Sequence, residues 1–287
     1  MVSAYLDDLL VKNACRETLQ KDKVFLLDLL SSLGFLVSDT KSDLHPKQQF
    51  VHLGMKFDTV AYTVGLTDKR IFSVLDLAAR FVDSVLVTRR QVSQILGLCQ
   101  AAAELLPLGR LRVRPLQWCV ADWFRPDDVW DRLVPCSSAF VKALAPWTQE
   151  EWLRSTVPIR PPPSDVSLCT DASMFGWGAH LLPEFVTTTG IWTSEERNLH
   201  INELEMLAVQ HALEFWSSIL RNKAVLILSD NSTVVAYLRN QGGTKSKTLC
   251  ERAIQLLQFA QALRITVSAR HIPGRLNVLA DGLFRNR

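Results

Sequence analysis

Four carboxylates, Asp171, Glu205, Asp230 and Asp281, stand at positions from which they could act together on one substrate. Asp171 closes an alternating stretch in which Val166, Leu168 and Thr170 face one way and Ser167, Cys169 and Asp171 the other, the period of a strand. Asp230 follows the apolar run AVLILS and precedes a helical stretch, while Asp281 lies among Leu276, Leu279, Ala280 and Leu283, after His271 and Asn277. Singly, each has an ordinary role: a turn former before Ala-Ser, a helix N-cap and a surface acid, respectively. Gathered at one edge of a sheet, four carboxylates cannot all stay ionised without cations. Hard oxygen ligands of this kind suit Mg²⁺ or Mn²⁺, and a pair of such ions stabilises the attacking water and the leaving oxygen of a phosphodiester displacement.

The glutamates of INELEMLAV separate by helical phase. A wheel of residues 200–220 gathers Ile201, Leu204, Ala208, Ala212, Phe215 and Ile219 within about 40° of Ala208, which predicts the stripe that meets a sheet. Glu205 falls about 60° from Ala208, at the edge of that stripe, whereas Glu203 falls about 140° away and is expected in solvent. A carboxylate beside a buried stripe needs compensation, and a metal ion supplies it.

Stepping outward, VSLCTDAS, GWGAHLL and TTTGIWT read as three successive strands. A helix over 200–220, a strand at AVLILSD, a short helix NSTVVAYLRNQ ended by Gly242 and Gly243, a helix over 248–263, a strand RITVSARHI and a terminal helix NVLADGLFR follow. This order predicts an α/β fold, a mixed sheet flanked by helices. The proline run in VPIRPPPS marks a boundary, so residues 164–287 are expected as one domain. Upstream, segments 15–37 and 68–106 have helical spacing, 49–64 alternates as a hairpin, and 107–156 shows no clear period and reads as an irregular connector.

The 287 residues are 48% apolar and 21% charged, enough for about two domains and unlike a disordered chain. A formal charge of +3 leaves neither half a polycation, so a nucleic-acid partner must be held by local patches and metal ions. The six cysteines form no CxxC pair and are expected as free thiols. The N-terminus MVSAYLDDLLVK lacks the regions of a signal peptide, and no apolar run reaches the ~18 residues of a membrane span. An intracellular protein, cytoplasmic or nuclear and away from membranes, is the expectation.

TDAS at 170–173 with GWGAHL, INELEMLAV, LSDNSTV and HIPGRLNVLADGLFR resembles the ribonuclease H domain of long-terminal-repeat and tyrosine-recombinase (DIRS-type) retroelements, over residues 164–287. The resemblance implies a ribonuclease H-like fold and hydrolysis of the RNA strand of RNA–DNA hybrids with two Mg²⁺ or Mn²⁺ ions. It implies a metal-binding tetrad of Asp171, Glu205, Asp230 and Asp281, with His271 assisting proton transfer or product departure. Ser173, Asn202, Ser232, Asn277 and the backbone amides of 172–174 would contact substrate in the minor groove, where the 2′-OH marks RNA.

Residues 1–67 resemble the end of the same elements' polymerase palm: YLDDLLV looks like the hairpin that presents two aspartates, here Asp7 and Asp8, and LGFLVSDTKSDLHPKQQFVHLGMKFD like the segment after it. Residues 68–163 would be thumb and connection, with Arg110, Arg112 and Arg114 gripping duplex phosphates. With Met1 four residues before Tyr5, the expectation is a chain without the fingers, the earlier palm strands and the first palm aspartate. Asp7 and Asp8 are therefore expected as a remnant unless a partner chain supplies the rest, and no polymerase activity is expected. The competing readings are a non-catalytic nucleic-acid-binding remnant and an integrase or transposase. The latter expects its glutamate as the last acidic ligand, whereas here the glutamate is second.

Overall fold

The structure, a computed structural model, describes residues 1–125, 129–277, 280 and 282. A hairpin of β1 (Val2–Tyr5) and β2 (Asp8–Val11) leads into α1 (Arg16–Ser32), a helix of strong helix formers with no buried residue. The meander β3 (Gln49–His52), β4 (Met55–Asp58) and β5 (Thr63–Leu66) follows.

The stretch 68–106 divides into α2 (Asp68–Val82) and α3 (Arg89–Ala103), separated by β6 (Leu86–Thr88). Thr67 caps α2, and Thr88 with Gln91 forms a reciprocal capping box that starts α3. Where an irregular connector was expected, the chain forms α4 (Gly109–Trp123), β7 (Leu133–Pro135), α5 (Ser138–Leu144) and α6 (Glu150–Leu153). Helix α4 carries Pro115 inside it and arginines whose stems are half-buried, which blurs its period. The last residues before the prolines, β8 (Thr156–Pro158), pair with β5 and complete a four-stranded sheet. One apolar core unites these elements around Ile71, Val92, Leu116, Phe140 and Trp147.

Beyond the prolines lie β9 (Val166–Ala172), β10 (Gly176–Leu182), β11 (Thr187–Ile191), α7 (Ile201–Phe215), α8 (Ser217–Leu220), β12 (Ala224–Ser229), α9 (Ser232–Arg239), α10 (Lys247–Ala262) and β13 (Thr266–His271). The sheet order is β11-β10-β9-β12-β13, antiparallel among the first three strands and parallel from β9 through β13. This is the mixed sheet with helices that the sequence predicts. Val166 faces Val225 and Leu168 faces Ile227 across β9 and β12, and these four join the core beneath α7 and α10. The terminal helix expected over 277–285 falls largely outside the described residues.

Two details differ from the wheel. Helix α7 ends at Phe215 because Trp216 leaves helical geometry, which exposes Phe215 and Ile219 instead of placing them on the sheet. The helix is also buried on two sides, since α10 packs on the flank away from the sheet. Among the described residues no helix is long and apolar enough to cross a membrane, and all six cysteines are free thiols.

Candidate active site

Parallel pairing of β9 and β12 brings their C-terminal ends to one edge of the sheet, where Asp171 is the penultimate residue of β9 and Asp230 directly follows β12. Glu205, in the second turn of α7, is buried against them. One carboxylate oxygen from each of Asp171, Glu205 and Asp230 lies within 4.8 Å of the others, and Asp171 and Glu205 are buried.

Burial, then the charges of Asp171 and Asp230, push the Glu205 carboxyl from its ordinary 4.5 up to about 9; a hydrogen bond with the Asp171 carboxyl adds to this, and the Ala172 backbone amide opposes it. Glu205 Oε2 is buried with no hydrogen-bond partner. A desolvated oxygen beside two further carboxylates fits a hard divalent cation, which would offset both the repulsion and the missing bond.

Local chemistry holds each acid in place. Asn231, rather than Asp230, caps α9: its Oδ1 accepts from Thr233 N at 3.0 Å and Val234 N at 3.2 Å, which leaves the Asp230 carboxyl for the cluster. Asn231 Nδ2 donates to Asn202 Oδ1 at 2.9 Å, tying the start of α9 to the start of α7. Gly274 makes room beside the site, because a Cβ there would lie 3.0 Å from Asp230 Oδ2. His271, opposite Ser229 at the end of β13, places Nε2 3.0 Å from the Asp230 backbone oxygen. A carbonyl only accepts, so Nε2 is the donor in this contact.

The remaining expected residues are distributed around this edge. Ser173 shapes the turn after β9, accepting on Oγ from Phe175 N at 3.1 Å and Gly176 N at 3.3 Å. Ser232 is exposed on the first turn of α9. Asn277, expected as a substrate contact, is instead buried and donates its side-chain amide to the backbone oxygen of Thr170 at 3.0 Å, so it faces the protein interior. Asp281 lies outside the described residues. Asp7 and Asp8 are exposed on the first hairpin and join no metal-holding group of acids, histidines or cysteines among the described residues.

Two expectations are corrected. Glu203 is not solvated: its side chain is only 14% exposed and its Oε1 lies 3.6 Å from Arg252 Nε on α10. The three arginines of α4 are not a free comb for phosphates. Arg110 makes a two-pronged pair with Glu104 at 2.5 and 2.6 Å, Arg112 lies 4.1 Å over the Trp152 ring, and Arg114 donates to the backbone oxygen of Asn240 at 2.7 Å. Burial lowers the pKa of both Arg112 and Arg114. Trp192, which no sequence pattern singles out, is buried and donates Nε1 to the Ser173 backbone oxygen at 2.7 Å. A lone tryptophan after TTTGI gives no sign of that bond.

The chain is 26% identical over 295 residues to the "Enzymatic polyprotein" of Carnation etched ring virus, covering 98% of this chain and 41% of that protein. It is 24% identical over 298 residues to "Polyprotein P3" of Commelina yellow mottle virus, covering 99% of this chain and 15% of that protein. The chain thus spans less than half the length of these relatives. A foamy viral protease-reverse transcriptase solved in complex with double-stranded DNA superposes with a TM-score of 0.47 at 18% identity, over 94% of this chain and 46% of that one. Residues 162–259, the stretch that holds Asp171, Glu205 and Asp230, match the family model of the RNase H-like domain found in reverse transcriptase.

Proposed function

We propose that this chain is a metal-dependent endonuclease that hydrolyses the RNA strand of RNA–DNA hybrids, as part of a retroelement or viral reverse transcriptase. The observation that carries the reading is the acidic cluster, with its partnerless Glu205 oxygen, inside the stretch that matches the RNase H-like family model. The motifs TDAS, LSDNSTV and HIPGRLNVLADGLFR support a DIRS-type retroelement as the source.

Asp171, Glu205 and Asp230 are the proposed ligands of Mg²⁺ or Mn²⁺, and Asp281 is proposed to complete a second ion site. Bound there, the ions would supply Lewis-acid stabilisation of a phosphodiester displacement and a more acidic attacking water. Asp171 and Asp230 keep fixed positions because a strand end and the neighbouring Asn231 cap leave them little freedom. His271, held beside Asp230 through its Nε2, is proposed to assist proton transfer or product departure. Asn202, Ser232 and Ser173 are the proposed side-chain contacts to the minor groove, and Asn277 supports the strand that bears Asp171. The complementary polymerase parts are proposed to come from a partner chain or flanking sequence, with the reaction taking place inside the cell.

The test is cleavage of an end-labelled hybrid. Mg²⁺ or Mn²⁺ is expected to give RNA-strand cuts that Asp171→Asn abolishes in a folded protein. Cleavage that persists in excess chelator would falsify the reading.

A further inference from the structure

We propose that the turn Met174–Phe175 is an apolar wedge that enters the minor groove of the duplex beside the acidic cluster, with Phe175 as a positioning residue; this rests on the nuclease reading above. The turn joins β9 to β10 and begins three residues past Asp171, so the Phe175 backbone lies within about 14 Å of that of Asp171. Met174 is 48% exposed, Phe175 79%, and Ile191, opposite Gly176, 76%. Residues 172–178 carry no charge.

This apolar tip is held firmly in water. Ser173 Oγ accepts from the amides of Phe175 and Gly176, and Trp192 grips the turn from beneath through Nε1 to Ser173 O at 2.7 Å and its backbone amide to Phe175 O at 3.4 Å. A Cβ on Gly176 would meet Gly190 O at 2.5 Å, so the strands beneath the tip are closely apposed. A rigid turn that shows phenylalanine, methionine and isoleucine to solvent gains nothing for folding. Beside buried carboxylates, which repel a polyanion, it offers attachment that needs no charge. Phe, Met and Ile are the side chains that wedge between base steps from the minor groove, and a hybrid's wide, shallow minor groove admits them.

The test uses the full chain and a hybrid carrying 2-aminopurine near the expected cut. In chelator, wild-type protein should raise the 2-aminopurine fluorescence on binding, the sign of an unstacked step. Phe175→Ala should lose that signal and weaken Kd about tenfold with an unchanged salt slope. In Mg²⁺ it should raise KM by a similar factor and leave kcat within about twofold. Phe175→Trp should restore binding, and Trp192→Phe, which frees the Ser173 oxygen, should fall between. An unchanged Kd and fluorescence signal in Phe175→Ala overturns the wedge even if the protein cuts. A Phe175-dependent signal without any cutting upholds the wedge and sinks the nuclease reading instead. Weaker binding with a shallower salt slope points to a charge contact and also overturns it.

Discussion

Asn277 donates its side-chain amide to the backbone oxygen of Thr170 at 3.0 Å, so the segment after β13 is fastened to the strand one residue before Asp171. Both residues are buried. Asn277→Ala should cost about 1–3 kcal/mol, because the Thr170 carbonyl is left without its partner. Cleavage should fall further than stability accounts for, since the strand bearing Asp171 loses a fixed neighbour. Urea unfolding set beside cleavage per folded molecule checks this; equal losses in the two would contradict it.

The two glutamates at the start of α7 should separate cleanly. Glu205→Gln is expected to lose metal-dependent cleavage by orders of magnitude. Glu203→Gln should keep the rate within a few-fold and lose only the modest stability of the Arg252 pair, about 1 kcal/mol or less. Comparable rate losses in both would show that Glu203 also serves the chemistry.

Stability should depend on pH through Glu205. Its folded value of about 9 lies above its ordinary 4.5, so the folded metal-free protein holds this proton more tightly than the unfolded chain. That contribution is fully present below pH 4.5 and is lost as pH rises toward 9. Chelator-treated protein should therefore show a Tm that falls across this window, with a flatter curve for Glu205→Gln and recovery on adding Mg²⁺. Parallel curves for the two proteins would refute the assignment.

Arg114 should matter for architecture more than for nucleic acid. Its bond to the Asn240 carbonyl joins α4 to the end of α9, and Gly242, at φ 98°, lets the chain turn against it: a Cβ there would lie 3.1 Å from Arg114 Cγ. Arg114→Ala is expected to cost about 1–3 kcal/mol of stability. The salt slope of duplex binding should stay unchanged; a slope reduced by about one would make Arg114 a phosphate ligand after all.

The acidic cluster was legible in the sequence where its signals were local. Alternation through VSLCTDA placed Asp171 on β9, and helical phase chose Glu205 for the interior. Phase could not reveal that α10 buries the opposite flank and pairs Arg252 with Glu203, because that contact joins residues far apart in sequence. Asp230 and Asn231 are adjacent candidates for one cap, and only the fold shows that Asn231 takes it. Helix α4 shows no single period because its apolar residues face two directions: Leu111 enters the core of the second sheet and its helices, on the side of α10, while Val113 and Leu116 enter the core of the first 158 residues.

That divided allegiance ties the fates of the two interiors. Loss of either core would uncover apolar surface on α4, so heat is expected to unfold the two in one calorimetric transition rather than two. A protease that nicks the proline run would sever the covalent thread between them and still leave α4 wedged across the seam. The two fragments should then travel as one particle, as a complemented pair rather than as separate domains.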